Sequence, residues 1–487
     1  MGNTQSIPAF FILSLGAKSL AESPCPIMRC CHSPFGGAAM RKLLSIFSFL
    51  CFVSVCCFPV GAEDLTNPES ITFPRGIPNS GMLCDGDQET AQTCEANASL
   101  TLEEPSGIAG LYLIFDKPYG TITLSAPEGD ECLLDTGGIL HYYADVQACF
   151  GRVPESLTLC FSDGEASVNE LSLFGPGAVP EWVQRWEKIP DGQTDLMLFS
   201  AHGDDEQLFF AGLLPWYGAE LGYRVQVVYF TDHRNMTASR VHEMLNGLWA
   251  VGIRDYPVFG AFADYYTFDL QDAYGFYAHQ GQPEQTLLSF FVENLRRGRP
   301  KVAVTHDPYG EYGHGMHRLC ADLLKKAVAV SNDPERFPEL AAQYGTWDVP
   351  KTYLHLYPEN TVTMDWDIPL ESFDGKTAFQ VTRDLGFAAH ASQQKDFAWY
   401  FRGVDRAADI PRYSPCFYGL YRSTVGEDVE KNDLFENIRR DSGQADPASP
   451  IPEQSNLSAA DRSWLVLPAV GTAVLTILTT GISARKN

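Results

Sequence analysis

The feature that most constrains this chain is an uninterrupted apolar run that ends in a cluster of ionisable side chains. The run LMLF at residues 196–199 shows no alternation of polar and apolar residues, which is typical of a strand buried in a parallel sheet. The segment SAHGDDE at residues 200–206 follows directly, and residues 207–214 have the pattern of a helix. Because open α/β sheets place ligands at the carboxyl ends of their strands, this cluster marks a candidate site.

The residue types in this cluster suit a divalent metal. A histidine and an aspartate together can hold an ion such as zinc, and a second carboxylate can act as a base on an activated water. The alternative interpretation is structural: an aspartate that caps a helix, with further acidic residues in the first turn, stabilises the helix dipole.

A second cluster about a hundred residues later favours the metal. The run KVAVT at residues 301–305 is another buried-strand pattern, and HDPYGEYGHGMH follows it at residues 306–317. His314 and His317 are three residues apart, so they fall on one face of a helical turn and can point at one position. Two strand ends that each carry metal-binding residue types indicate one shared site.

The paired motifs resemble those of the PIG-L/LmbE family of metal-dependent de-N-acetylases, whose signatures are an HPDDE-like and a later HPDH-like segment. The resemblance extends from about residue 195 to at least residue 357. It implies metal ligation by His202, Asp205 and His317, general base catalysis by Asp204, stabilisation of the oxyanion or protonation of the leaving amine by His314, assistance by Tyr312, and substrate binding by Arg240 and Asp264.

The chain departs from the family pattern at two positions. Gly203 stands where the family has proline, and Met316 stands where it has the aspartate that orients the histidine equivalent to His314. Asp307 or Glu311 could take over that orienting role. The other histidines near these motifs, for which a structural role is expected, are His233, His242, His306 and His390.

The alternation of strand and helix patterns over residues 190–440 predicts an α/β fold with a Rossmann-like, doubly wound, mostly parallel sheet. Residues 264–284, rich in aromatic residues and glycine, are expected to form a loop over the site. No GxGxxG motif follows the first strand, so no dinucleotide site is expected.

Residues 63–178 contain short β-prone runs separated by turn residues, which predict an antiparallel β-sandwich. This segment is similar to discoidin-like, galactose-binding modules, a resemblance that implies a carbohydrate-binding role. Asp85 and Asp87 are oxygen ligands suited to a structural Ca²⁺, with a plain surface turn as the alternative.

Both ends of the chain suggest export. Residues 1–62 have the features of a leader with a signal peptide that starts near Met40, residues 441–462 those of a disordered stalk, and residues 464–484 those of a transmembrane helix. We therefore expect a cell-surface protein anchored at its C-terminus with the catalytic part outside. Disulfides among the remaining cysteines are conceivable in that compartment.

The net charge of −26 argues against nucleic acid as a partner, since no basic stripe could neutralise phosphates. The leading hypothesis is a zinc-dependent hydrolase, with Fe²⁺ as the alternative metal, that deacetylates an N-acetylglucosamine-containing glycan. The second hypothesis is a carbohydrate-binding surface protein whose deacetylase domain no longer turns over.

Overall fold

The computed structural model of this chain describes residues 61–74, 81–231 and 238–439. The strands in these ranges are β1 (Ile71–Thr72), β2 (Gln92–Cys94), β3 (Ser99–Glu103), β4 (Gly110–Phe115), β5 (Thr121–Ser125), β6 (Glu131–Asp135), β7 (His141–Asp145), β8 (Ser156–Phe161), β9 (Ala166–Phe174), β10 (Leu196–Ser200), β11 (Val225–Thr231), β12 (Val258–Phe262), β13 (Val302–Thr305), β14 (Lys351–His355), β15 (Thr361–Thr363) and β16 (Phe417–Ser423). The α-helices are α1 (Val146–Phe150), α2 (Asp205–Leu208), α3 (Ala238–Ala250), α4 (Leu270–His279), α5 (Glu284–Gly298), α6 (Gly315–Val330), α7 (Pro338–Tyr344), α8 (Ala378–Val381) and α9 (Gln394–Phe401).

A seven-stranded sheet forms the centre of the molecule, in the order β12-β11-β10-β13-β14-β16-β15. The first five of these strands pair in parallel, whereas β16 runs antiparallel to both β14 and β15. From β10 the chain moves outward to β11 and β12 and then returns to the other side of β10 with β13. Ligands of open α/β sheets bind where the strand order reverses, so the β10–β13 boundary is the expected site.

The burial of these strands matches their sequence pattern. Every residue of β10, β11, β13 and β14 is buried, as a sheet covered on both faces requires. The prediction of a mixed α/β fold is confirmed.

Two antiparallel sheets precede the central sheet, in the orders β1-β3-β8-β5-β6 and β2-β9-β4-β7. Burial alternates along β3, β5 and β8, which is the pattern of a strand with one face on a core. Side chains from both sheets belong to one apolar cluster that includes Leu100, Leu102, Leu111, Leu113, Phe115, Leu157, Leu159 and Leu171.

Of the two interpretations of the loop around Asp85, its contacts favour the surface turn over the Ca²⁺ site. Asp85 accepts hydrogen bonds from the Asp87 amide at 2.9 Å and the Thr90 hydroxyl at 2.9 Å, and Asp87 accepts one from the Glu89 amide at 2.9 Å. These are the local contacts of an Asx turn, the alternative considered for this segment. Within the described ranges, the groups of three acidic, histidine or cysteine residues that could hold a metal lie elsewhere.

The N-terminal sheets pack directly on the α/β part. His141 Nε2 lies 2.8 Å from Nδ1 of His242 on α3, and both rings are buried. Trp186 contacts Trp249 and Tyr256 edge to face, with ring centroids 5.3 and 5.7 Å apart. The contact therefore combines apolar surface with a specific polar pair.

The prediction that residues 264–284 form a loop is wrong. Residues 264–284 were expected to lack regular structure, yet α4 occupies Leu270–His279. Asp269 caps this helix by accepting a hydrogen bond from the Asp272 amide at 2.9 Å. Leu270, Ala273 and Tyr277 recur at helical spacing and face the core cluster under α6, which explains the helix despite its glycine and aromatic content.

The predicted stalk at residues 441–462 and transmembrane helix at residues 464–484 lie outside the described residues, as does the predicted leader at residues 1–62 except for its last two residues. Within the described ranges, no helix is both long and apolar enough to cross a bilayer. No disulfide joins the cysteines of these ranges.

Candidate metal-dependent active site

The two sequence clusters meet at the carboxyl edge of the central sheet. Strands β10 and β13 are parallel neighbours, so the loops after Ser200 and after Thr305 leave the sheet side by side. The Ala201 amide donates a hydrogen bond to His306 Nε2 at 2.9 Å, which joins the two loops at their starts. Topology thus brings together residues that are about a hundred positions apart.

His202, Asp205 and His317 converge on one point. His202 Nδ1 lies 3.0 Å from Asp205 Oδ2, and His317 Nε2 lies 3.3 Å from Asp205 Oδ1 and 3.2 Å from His202 Nδ1. A tetrahedral zinc ion with bonds of about 2.0–2.1 Å separates its ligand atoms by about 3.3 Å. The three side chains therefore fit the metal-ligand set expected from the sequence.

Glu311 contacts the third candidate ligand, His317, at the ring nitrogen that does not face the cluster. Its side chain is fully buried, and Oε2 lies 2.8 Å from His317 Nδ1. The same carboxylate contacts His306 Nδ1 at 2.9 Å and His355 Nδ1 at 2.6 Å. Because Nδ1 of His317 faces a carboxylate, its proton belongs there and Nε2 keeps a lone pair toward the cluster, which is the arrangement of many metal-binding histidines.

Two other sets of side chains also lie within ligand distance: His202, His314 and His317, and Asp205, His306 and His317. His306 does not suit a metal, because its Nε2 accepts the Ala201 amide proton and its Nδ1 faces Glu311. Both ring nitrogens are committed to the protein, as the structural role expected for His306 requires.

His314 borders the cluster as a neutral imidazole. Its ring centroid lies 4.8 Å from that of His202 and 4.9 Å from that of His317. Nδ1 accepts a hydrogen bond from the Met316 amide at 3.2 Å, so the proton of the neutral ring is on Nε2. Burial and the neighbouring imidazoles lower the pKa of His314 to about 2. A neutral ring of this kind donates a hydrogen bond rather than carrying charge.

Tyr312 lies beside the same two histidines, with ring centroids 5.5 Å from His314 and 5.4 Å from His317. Its backbone is in the left-handed region, with φ of 46°, which is unfavourable for a bulky residue and common at functional sites. Burial raises the pKa of the phenol, so it is a hydrogen-bond donor at neutral pH.

Asp204 lies next to the ligand Asp205 but faces a different partner. Its Oδ1 lies 3.4 Å from Nη2 of Arg240, and its buried Oδ2 has no hydrogen-bond partner among the described residues. Burial raises the pKa of Asp204 to about 6, against the opposing charge of Arg240. An uncommitted carboxylate oxygen at this position can accept a proton.

Asp264 contacts His202, one of the three candidate metal ligands. Its Oδ1 lies 3.2 Å from His202 Nε2, on the opposite side of the ring from the cluster. It therefore orients His202 as Glu311 orients His317. Its expected contact with substrate hydroxyls stays a prediction.

The two departures from the family pattern have structural counterparts. A side-chain carbon on Gly203 would lie 2.4 Å from Met244 of α3, so the methionine occupies the space of a residue at 203. Met316 is fully buried in the core, where its sulfur lies 3.6 Å from the Tyr277 hydroxyl, which donates its hydrogen bond to the Ala263 carbonyl oxygen at 2.6 Å. In the described part of the chain, neither the Asp307 nor the Glu311 carboxylate pairs with the His314 ring: the Asp307 carboxylate accepts a hydrogen bond from the Tyr309 amide, and that of Glu311 contacts His306, His317 and His355.

Sequence reasoning considered Glu311 as a partner of His314 and not of His317, and it did not consider His355. Glu311 lies between His306 and His314 in the chain, and that position was the available signal. His355 ends β14 and reaches Glu311 only because β14 lies beside β13. Its other nitrogen, Nε2, lies 2.9 Å from the Ser414 carbonyl oxygen.

Comparison with known proteins agrees with this site. Residues 197–328 match the PIG-L family, described as GlcNAc-PI de-N-acetylase. A 1D-myo-inositol 2-acetamido-2-deoxy-alpha-D-glucopyranoside deacetylase of Streptomyces scabiei is 25 % identical over 299 residues, which are 50 % of this chain and 89 % of the relative. The corresponding enzyme of Streptomyces avermitilis is 24 % identical over 51 % of this chain and 98 % of its own.

Among solved structures, the N,N'-diacetylchitobiose deacetylase of Pyrococcus horikoshii is 15 % identical and covers 46 % of this chain and 82 % of its own, with a TM-score of 0.32. The matched segment runs from β10 through α6 and contains both loops of the cluster. The match to the PIG-L family model over residues 197–328 thus includes every residue of the candidate metal-ligand set.

Proposed function

We propose that this protein is a zinc-dependent hydrolase that removes the acetyl group from an N-acetylglucosamine unit of a glycan or glycoconjugate. The observation that carries the proposal is the convergence of His202, Asp205 and His317, whose ring nitrogens and carboxylate oxygens approach one another to 3.0–3.3 Å, beside the buried carboxylate of Asp204. The PIG-L domain and the deacetylase relatives support the reaction class, a metal-dependent de-N-acetylase. Iron is the alternative metal, because this donor set accepts either ion.

The names of the relatives support the choice of substrate. Both Streptomyces enzymes are described by a 2-acetamido-2-deoxyglucopyranoside, which is an N-acetylglucosamine unit. We therefore propose N-acetylglucosamine as the acetylated sugar of the substrate, and the proposal does not specify the group attached to it.

The proposed reaction adds water to the acetamide carbonyl and releases acetate and a free amine. A zinc ion held by His202, Asp205 and His317 would acidify a water molecule and polarise the carbonyl. Asp204 takes the proton of the attacking water at Oδ2, the oxygen without a partner in the described structure. The C–N bond then breaks, and the proton passes to the leaving nitrogen.

Two further side chains act on the carbonyl oxygen in this proposal. The Nε2–H of His314 and the hydroxyl of Tyr312 donate hydrogen bonds to the negative charge that develops there. Arg240 is 6 % exposed and paired with Asp204, so we propose that it orients the base in addition to the sugar contact expected from the sequence.

The test compares acetate release from N-acetylglucosamine conjugates by the zinc-loaded protein and by Asp204→Asn. Loss of the base is expected to lower kcat by about 10²- to 10⁴-fold while zinc content stays the same. Asp195→Asn is the matched control, because Asp195 precedes the same strand at its opposite end and pairs there with Lys301. Acetate release that is undetectable in the native protein, or unchanged in Asp204→Asn, would refute the proposal.

We also propose export and surface anchoring, on the strength of residues 1–62 and 464–484 in the sequence. N-terminal sequencing of the protein from a membrane fraction is expected to begin at Glu63. A chain recovered with Met40 intact would contradict removal of the leader.

A further inference from the structure

Two aromatic side chains lie exposed beside the candidate site. Tyr266 is 68 % exposed and Phe268 is 53 % exposed, and both belong to the loop between β12 and α4. Thr267 between them is buried, so the two rings emerge together from the surface. They contact each other edge to face, with centroids 5.2 Å apart. Single exposed apolar residues are common on protein surfaces, whereas adjacent exposed rings indicate a binding surface.

The fold does not need these rings to hold the loop. The Thr267 carbonyl accepts a hydrogen bond from the Gly315 amide at 2.6 Å, and its hydroxyl donates one to Asp272 at 2.8 Å. Neither Tyr266 nor Phe268 belongs to the apolar clusters of the described residues. The hydrogen bonds of buried Thr267 therefore hold the loop in place, and the two exposed rings are available to contact another molecule.

The pair adjoins the groups proposed to carry out the reaction. The Tyr266 ring lies 5.2 Å from that of His314, at an interplanar angle of 69°. Phe268 Cδ1 lies 3.6 Å from the position that a side-chain carbon on Gly313 would take. A molecule that places its acetamide at the metal ligands would bring its next chemical group over these rings.

We infer that Tyr266 and Phe268 form a stacking platform for a second sugar ring joined to the acetylated one. This inference rests on the proposed function and narrows its substrate class to glycans of two or more sugars. One face of a pyranose carries mainly C–H bonds and packs on aromatic rings, while its hydroxyls need polar neighbours. Asp269 follows the pair, and its side chain is exposed, so the carboxylate oxygen that does not cap α4 can accept a hydrogen bond from a sugar hydroxyl. A long alkyl chain would instead need a continuous apolar groove. The net charge of −26 favours an uncharged second sugar.

The experiment uses the zinc-loaded full chain and three probes: N-acetylglucosamine, its β-1,4-linked dimer and its octyl glycoside. The native protein is expected to favour the dimer over the single sugar in kcat/KM by about tenfold or more. Phe268→Ala is expected to lower that ratio by about tenfold, and Phe268→Tyr, which keeps the ring, to preserve it. Tyr421→Ala is the control, since Tyr421 is an exposed aromatic residue on β16 that contacts Tyr357.

A dimer ratio that is unchanged in Phe268→Ala, in a protein with the native melting temperature, would overturn the inference. A native preference for the octyl glycoside over the dimer would overturn it in favour of an alkyl aglycone. If no probe releases acetate, the proposed function fails, and dimer binding is then read by saturation-transfer NMR. Transfer to the dimer that disappears in Phe268→Ala would still support the platform, and absence of transfer to the native protein would refute it.

Discussion

At the scale of single residues, the buried carboxylate of Glu311 organises the site more than any one ligand does. It contacts Nδ1 of His306, His317 and His355, and all four side chains are buried. A buried carboxylate is stable only when donors surround it, and here three imidazoles provide them. The orientation of the ligand His317 therefore depends on a residue that need not touch the metal.

Replacing Glu311 should weaken metal binding without removing a ligand. In Glu311→Gln an amide NH₂ would face at least one imidazole N–H, so His317 would lose its fixed orientation. We expect zinc affinity, measured by competition with a chromogenic chelator, to fall by about 10- to 100-fold. Glu243→Gln is the control, since Glu243 is a buried glutamate that bonds Ser392. Equal affinities of native protein and Glu311→Gln would contradict this role.

Glu170 should make the N-terminal sheets less stable as pH rises. Burial, together with a hydrogen bond to Asp85, raises the pKa of Glu170 to about 7 from an ordinary value of 4.5. A carboxyl with a raised folded-state pKa contributes stability below its unfolded pKa, and that stability is lost as pH rises through the folded value.

The melting temperature of the native protein should therefore fall relative to Glu170→Gln between pH 4.5 and pH 8, as measured by thermal denaturation. Glu165→Gln, at an exposed site just before the same strand, is expected to follow the native curve. A constant difference between native protein and Glu170→Gln across this range would refute the assignment.

At the scale of elements, helix α3 connects the N-terminal sheets to the candidate site. It carries Arg240, which pairs with Asp204, and His242, which contacts His141 of β7. Asn246 on the same helix donates a hydrogen bond to Gln88 at 3.1 Å. The position of the arginine thus depends on contacts made outside the segment that matches the PIG-L family model.

The His141–His242 contact should make this packing sensitive to acid. Burial lowers the pKa of His242 to about 4 and that of His141 well below its ordinary value of 6.5. Groups with depressed folded-state pKa values contribute stability above the unfolded pKa, and it is lost as pH falls toward the folded value.

We therefore expect the urea midpoint of the native protein to drop between pH 7.5 and pH 5, and the drop to be smaller in His242→Gln. His279→Gln, at an exposed histidine that ends α4, should retain the native drop. An equal drop in native protein and His242→Gln would show that this contact is not the acid-sensitive element.

At the scale of the whole molecule, the apolar core runs without interruption from the N-terminal sheets into the central sheet. One cluster contains Leu111 and Leu171 from the former and Leu196 and Val227 from the latter. Two independently folded domains joined by a linker would instead have separate hydrophobic cores.

A continuous core should make residues 61–439 unfold together. We expect differential scanning calorimetry to give a single transition whose van't Hoff and calorimetric enthalpies agree. Trp182→Ala, which removes an exposed ring at the linker that contacts Tyr112 and Phe174, should lower the midpoint without splitting the transition. Two resolved transitions in the native protein would contradict the shared core.

The features that could be predicted from the sequence are those that depend on residues close together in the chain. The runs at 196–199 and 301–305 indicated buried strands, and the histidines and aspartates after them indicated ligands, because each pattern is local. The contact of His355 with Glu311 depends on how β14 pairs, and that of His141 with His242 on how two sheets pack. Such contacts have no local signature, since their partners are distant in the chain. Helix α4 was missed because aromatic residues and a glycine obscured its period.

The close fit of Gly203 against Met244 links a catalytic loop to a helix that is anchored elsewhere. A proline introduced at 203 alone would collide with the methionine, whereas the same change combined with Met244→Ala would find room. A change at position 203 is therefore expected to require a compensating change at position 244 on the surface of α3.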